Sequence, residues 1–428
     1  PFTKKLLEEL QSRESIVKDG EVYYHSRLYD RARNRMVKSL RLQTVTRPPE
    51  SYASLMAGRI ELHAPAEEQL KRAMEQCCDK NLPVRQWESV IFRRRVKNYS
   101  ETMLDRLLAQ GDYFWKMAPD GNLSFHRYDN IDWGAGLPEA AEELEGDELL
   151  LYRELKRRGA SFLKFLTGIP KEDSAQEVLL KLAAKGLVCA DSFVPVRQWQ
   201  NREKIRKAPV RQRVNARVMA LSAGRWDIVR PVREKSREEL LLRYFTEAVV
   251  LCRETFLKAS MGDEFTWREA LEILRVWEYT GRVRRGYFIE GLSGAQFIRK
   301  DDYEAVTALL QKSDEELIWL NASDPAQIWG KILKQPKERE FMILPGTAVA
   351  LLGGLPAAVL EKQGKTLRVF GDDAQSRLDI ILSGLVRDFR EKKLFADQKR
   401  LIVKDYPKYA GDSLKKAGFI HEMQDYVL

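Results

Sequence analysis

The chain has 428 residues, a formal net charge of +10, and 44% hydrophobic, 10% aromatic and 32% charged residues. That length exceeds one ordinary domain and predicts about two to four, each with apolar content for a packed core. No apolar run approaches the ~18 residues of a membrane span and no signal-peptide pattern stands out, so a cytoplasmic protein without a membrane partner is expected, and the positive balance suits a polyanion.

In chain order, residues 1–83 read as a helical N-terminal segment. Tyr23, Tyr24, Tyr29, Arg31, Arg33, Arg35 and Lys38 give it a basic, aromatic character, and Pro48-Pro49 breaks it. That face is either solvated or a nucleic-acid contact.

Residues 84–143 read as a first unit with an acidic linker. Trp87, Val90 and Ile91 mark one helix face, and Arg93-Arg94-Arg95 sits on the same helix. Ser100 is a candidate N-cap for a helix stopped by Gly111. Tyr113-Phe114-Trp115 and Leu123-Ser124-Phe125 then flank Pro119-Asp120-Gly121, which predicts a hairpin. Residues 144–200 form a second unit: a helix to Gly159, a short helix at Phe162–Phe165, a third helix from Ser174 to Gly186. Leu187-Val188-Cys189 and Phe193-Val194 are the expected wing.

Residues 201–235 read as a basic linker. Over 202–217, Arg202, Lys204, Arg206, Lys207, Arg211, Arg213 and Arg217 stand against the single acid Glu203, the densest positive charge in the chain. Such a run is a candidate phosphate contact, because each neutralised phosphate releases condensed counterions, or else a solvated tether.

Residues 236–312 form a third unit. Trp267, Ala270, Leu271, Leu274 and Trp277 recur at helical spacing up to Gly281. Arg282-Val283-Arg284-Arg285-Gly286-Tyr287-Phe288-Ile289 then reads as a basic strand, the wing of a winged helix, which would bring Arg282, Arg284, Arg285 and Tyr287 to a phosphate backbone. Residues 313–428 turn to short apolar strands between glycine turns: Leu317–Leu320, Phe341–Leu344, Ala348–Leu352, Ala357–Leu360 and Thr366–Phe370. This predicts a sheet or small barrel, followed by a helix from Ser376 to Arg390 and a strand–helix–strand tail. The fold class is therefore α+β, with tandem winged helices and a C-terminal barrel-like domain.

The stretch Gly281–Phe297 resembles a signature of the C-terminal region of large helicase-related (Lhr-type) DNA helicases. Trp87-Glu88, Asn98-Tyr99-Ser100, Met103-Leu104-Asp105, Arg158–Phe162, Gly186-Leu187-Val188, Ser192–Pro195 and Gly224-Arg225-Trp226 follow in the same order. The resemblance implies tandem winged helices with a β-barrel, DNA as partner, and a region cut from a longer chain, which the start at Pro1 also suits. No Gly-x-x-x-x-Gly-Lys-Ser/Thr loop or acidic helicase box is present, so ATP and Mg²⁺ belong to absent motor domains and no cofactor is expected here.

The usual catalytic constellations are missing. His25, His63, His126 and His421 stand at no metal-ligand spacing, Cys77, Cys78, Cys189 and Cys252 include no Cys-x-x-Cys, and no Gly-x-Ser-x-Gly elbow occurs. The resemblance extends to AlkZ-type DNA glycosylases and implies a uracil-DNA glycosylase activity tied to an acid near the C-terminus, here Asp425; Glu422, Asp405 and Asp324 are the next acids in line. The alternative is a non-catalytic module that assembles the helicase into homo-oligomers.

Overall fold

The computed structural model describes residues 2–60, 63–139, 144–171, 174–221, 224–261, 264–312 and 316–428. The chain opens with helix α1 (Phe2–Ser12), a hairpin of β1 (Ile16–Asp19) and β2 (Val22–His25), and helix α2 (Ser26–Leu42). The hairpin interrupts the segment expected to be helical. Helix α3 (Pro49–Gly58) starts at the proline pair, because proline is tolerated in the first turn.

The first winged unit begins before Val84. Helix α4 (Ala66–Cys77) is its first helix, and strand β3 (Leu82–Pro83) follows. The second helix is composite: α5 (Val84–Gln86), a π-helical turn at Trp87–Phe92 and α6 (Arg93–Arg95). Ser100 takes the extended N-cap position of α7 (Glu101–Ala109), yet its hydroxyl meets Thr102 rather than the helix backbone. The wing is β4 (Tyr113–Met117) against β5 (Asn122–Arg127), turning through Gly121 at φ +81°.

The second unit holds α8 (Gly146–Arg158), β6 (Ser161–Phe162), a 3-10 turn at Leu163–Phe165 and α9 (Ala175–Ala184). Ser174 and Glu177 form a reciprocal capping box at the start of α9. Strand β7 (Val188–Ala190) leaves through Gly186, where a Cβ would lie 2.6 Å from the Met117 carbonyl oxygen of the first wing. The return strand is not Phe193-Val194, which instead opens helix α10 (Val194–Gln200). It is β8 (Arg225–Ile228), which pairs with both β6 and β7. Between β7 and β8 lie α10, α11 (Arg202–Lys207) and α12 (Val210–Leu221). The basic stretch is thus a helical insertion inside the second wing, not a linker between units. The first two units share one continuous core, in which Trp115 and Trp226 meet edge to face.

The third unit follows the expected order: α13 (Arg237–Ala248), α14 (Arg253–Ala259), α15 (Trp267–Thr280), β9 (Val283–Gly286) and β10 (Gln296–Arg299). Capping boxes Ser236/Glu239 and Thr266/Glu269 start α13 and α15, and Gly281 ends α15 in the left-handed conformation at φ +79°.

Helix α16 (Tyr303–Gln311) leads to an open antiparallel meander of β11 (Leu317–Asn321), β12 (Ala348–Leu352), β13 (Leu355–Glu361) and β14 (Thr366–Val369). Strands β11 and β14 are its edges and do not pair, so the expected barrel does not close among the described residues. Phe341–Leu344, expected as a strand, runs as irregular chain. The strands are apolar on both faces because both are buried. Ile318, Leu320, Val349, Leu351 and Val359 face a core shared with α3 and the third unit. Trp319, Ala348, Ala350, Ala358 and Leu360 face α17 (Ala374–Arg390), which approaches closely enough that a Cβ at Gly384 would lie 2.7 Å from Leu317. A last small sheet joins β15 (Ile402–Val403), β16 (Ile420–Glu422) and β17 (Asp425–Val427), with α18 (Gly411–Lys416) inserted.

Candidate nucleic-acid interface

The basic residues expected at the interface divide into an engaged set and an exposed set. The third wing belongs mostly to the first. Arg282 lies 4.0 Å from the Trp277 ring centroid and 3.1 Å from Glu238. Arg284 sits 4.8 Å from the Tyr303 ring, and Arg285 is 3.9 Å from Glu278. Helix α2 packs over this wing. Arg41 forks onto both oxygens of the buried Glu278 at 2.6 and 2.7 Å, and Arg33 donates to the Tyr279 carbonyl. Thr44 fills the space beside Gly286, where a Cβ would approach to 2.4 Å. Tyr287 remains exposed, its carbonyl held by Thr46. The N-terminal segment therefore packs against one side of the third wing, beside Arg285 and Gly286, while Arg282 and Tyr287 stay exposed.

The exposed set lies on α11 and α12. Lys204, Lys207, Arg211, Arg213 and Arg217 are all solvent-exposed, and no ion pair involves them among the described residues. Arg206 reaches Glu203 at 3.2 Å, with both side chains largely in water. Arg202 stacks 4.5 Å from the Trp199 ring and donates to the Trp199 carbonyl. These helices present a concentrated positive surface that little in the protein itself neutralises.

Arg197, at the start of the same run, is different. It donates to both Glu88 oxygens at 2.9 Å and to Asp105 at 2.7 Å. Asp105 also accepts from Ser192 and the Phe193 amide, and Tyr99 donates to Glu88 at 2.6 Å. Burial disfavours the Arg197 charge, but Glu88 and Asp105 more than offset this and raise its pKa. Residues scattered over the sequence motifs thus meet in one network that anchors the insertion to the first unit.

Two clefts adjoin the loop at residues 321–325. One, of about 640 Å³, is bounded by α5, Trp199, α11, the meander and Phe395. The other, of about 550 Å³, lies between the first wing, α13–α14 and the segment 323–332, and includes Asp79, Glu247 and Lys331. In it, burial lowers the Lys331 ammonium to a pKa of about 7 while its Nζ donates to the Asp324 carbonyl at 2.6 Å. Sequence spacing gave no signal for either cleft, since each draws on residues far apart in the chain.

Asp425 lies on β17, in register with Glu422 and 3.1 Å from Lys404. It lines neither cleft. Asp324 is fully buried and held by Arg95, and no cluster of His, Cys, Asp or Glu suited to a metal occurs among the described residues.

Residues 48–127 and 232–318 each match a family model described as "Large helicase-related protein, winged-helix domain". The chain is 28% identical over 399 residues to "Lhr helicase/ probable uracil glycosylase" of Mycolicibacterium smegmatis, covering 84% of this chain and 26% of that protein. It is 26% identical over 420 residues to "Lhr helicase/uracil glycosylase" of Escherichia coli, covering 87% of this chain and 26% of that protein. It therefore spans about a quarter of the length of these curated relatives.

Proposed function

We propose that this chain, two stretches of which match large helicase-related winged-helix domains, holds DNA by its phosphate backbone through α11 and α12 of the second wing. The carrying observation is the exposed, unneutralised row Lys204, Lys207, Arg211, Arg213 and Arg217. Cations in that state release counterions on meeting phosphates, which drives sequence-independent binding. The third wing contributes less, because its arginines stack on Trp277 and Tyr303 or approach Glu278.

The test is a salt titration of DNA affinity. Neutralising Arg206, Lys207, Arg211 and Arg213 to Gln together weakens binding and flattens the salt dependence by about 0.9 per lost duplex contact. Melting temperature stays nearly unchanged, since exposed charges contribute little to folding. An unchanged slope removes the insertion from the interface.

We extend the reading to excision of uracil from DNA in a repair role, with Asp425 as the catalytic carboxylate. The names of both curated relatives support the activity. A second reading, assembly into homo-oligomers, is favoured by one observation: Val210 and Val214 stand one turn apart on α12, 64% and 53% exposed. Sedimentation of the chain with and without Val210→Ser and Val214→Ser separates the two.

A further inference from the structure

We infer that the larger cleft, beside Trp199 and Asn321, receives a single unstacked nucleobase from the strand held by α11 and α12. The inference rests on the DNA-binding reading and deepens it by assigning a base subsite.

Three independent features converge there. The first is space in the right place. The cleft has a volume of about 640 Å³, and α11 contributes Arg202, Glu203 and Lys204 to its wall. A backbone lying along α11 and α12 would pass its mouth, so a base leaving the stack has somewhere to go.

The second feature is a stacking platform. Trp199 is only partly buried and lines the cleft. The Arg202 guanidinium lies over the ring, 4.5 Å from its centroid, and Gly121 of the first wing stands near its outer edge, where even an added Cβ would fit at 3.9 Å. An indole at the edge of a basic surface is what base stacking uses, and stacking tolerates any base because every base has a π face.

The third feature is an unanswered donor. Asn321, at the end of β11, is 7% exposed and lines the same cleft. Its Nδ2 is buried with no hydrogen-bond partner among the described residues. A buried amide donor without an acceptor is costly, and native folds rarely retain one without a reason. A carbonyl oxygen on the edge of an inserted base supplies the acceptor once the Asn321 amide turns toward the cleft that the residue lines. Uracil, thymine, cytosine and guanine each carry such an oxygen and adenine does not, so the donor suits carbonyl-bearing bases as a class. The apolar floor of Val84, Val90 and Phe395 suits the flat body of the ring.

The experiment is photocrosslinking. The full 428-residue chain is bound to an oligonucleotide carrying one 5-iodouracil in an unpaired position and irradiated at long wavelength, which joins the base to an aromatic ring stacked on it. The adduct is expected on Trp199, mapped by peptide mass spectrometry. Trp199→Ala abolishes the adduct and lowers affinity for the unpaired-uracil strand roughly five- to hundredfold, while Trp199→Phe keeps both. Asn321→Asp lowers the adduct yield and leaves the salt slope unaltered, because the phosphate contacts remain. An adduct on another aromatic residue, or none while the oligonucleotide is demonstrably bound, overturns the inference and leaves the DNA-binding reading standing. No binding of any oligonucleotide by the wild-type chain sinks both.

Discussion

Arg95 donates two hydrogen bonds to Asp324, each 2.8 Å, and the pair joins the first winged unit to the loop after β11 with both side chains buried. Its neighbour Arg94 extends the joint by donating to the Trp319 carbonyl at 2.9 Å. Arg94 and Arg95 therefore clamp the two domains together, while Arg93 stays within the first unit over the Tyr99 ring.

Breaking that pair from one side leaves a buried charge uncompensated. Asp324→Asn or Arg95→Met is expected to cost about 3–5 kcal/mol in chemical denaturation. Burial alone pushes the Asp324 carboxyl up, but Arg95 and its hydrogen bonds reverse this, so the folded value lies below the usual one. A depressed carboxylate contributes stability above its unfolded value of about 3.9 and loses it as pH falls through the folded value. The wild-type chain should therefore lose stability under acid more steeply than Asp324→Asn. Parallel acid profiles would show that the pair contributes nothing.

Arg197 makes the same kind of prediction for the basic insertion. It is the one arginine of its run fixed by Glu88 and Asp105, so Arg197→Ala should loosen α10–α12 without removing a DNA contact. Hydrogen exchange across α10–α12 should accelerate, and the two carboxylates left behind should lower the melting temperature by several degrees. DNA affinity should fall with no change in the salt slope. A slope change would mean that Arg197 itself meets phosphate.

How much of this was legible follows from where the signals lie. The junctions at Gly111, Gly186 and Gly281 are local, since each needs a left-handed residue between a helix and a strand, and each has φ between +75° and +83°. The insertion in the second wing is not local. Strand β8 finds its partner β7 across three helices and β6 across four, and a basic helical stretch looks the same in a linker as in an insertion. Charge identified Arg284, Arg285 and Arg213 alike, but only burial separates an arginine on Tyr303 or near Glu278 from one in water. The meander was legible as strands and not as an open sheet, because closure depends on whether β11 reaches β14.

Lys331 gives a pH prediction of the same sign in a higher window, although its lowered value marks a destabilising burial where that of Asp324 marks a stabilising pair. Desolvation is the main cause of its lowered value of about 7, offset in part by Asp324, with Lys258 and Lys80 adding repulsion. An unfolded lysine titrates near 10.4, so between about 7 and 10 the unfolded chain binds more protons than the folded one. Stability should therefore rise with pH across that window. Lys331→Met should flatten the rise and stabilise the chain near pH 7. A wild-type profile that is flat or falls there would place the ammonium in a well-solvated site.

The last prediction concerns uracil excision. If Asp425 is the catalytic carboxylate, Asp425→Asn should reduce excision from uracil-containing DNA by at least about a hundredfold while leaving DNA affinity intact. Asparagine keeps the shape but removes the negative charge that stabilises an oxocarbenium-like transition state. The ion pair with Lys404 is partly exposed, so losing it should cost no more than about 1 kcal/mol, and a melt can verify that the variant folds. Lys404→Ala is the positioning control: it removes the ion-pair partner while leaving the carboxylate in place, so it should slow excision less than Asp425→Asn. Full activity in Asp425→Asn would move the chemistry to Glu422, which faces Asp425 across the hairpin and lies 2.6 Å from Arg400. It would not move to Asp324, whose carboxylate is enclosed by Arg95 and has no exposed surface to offer a sugar.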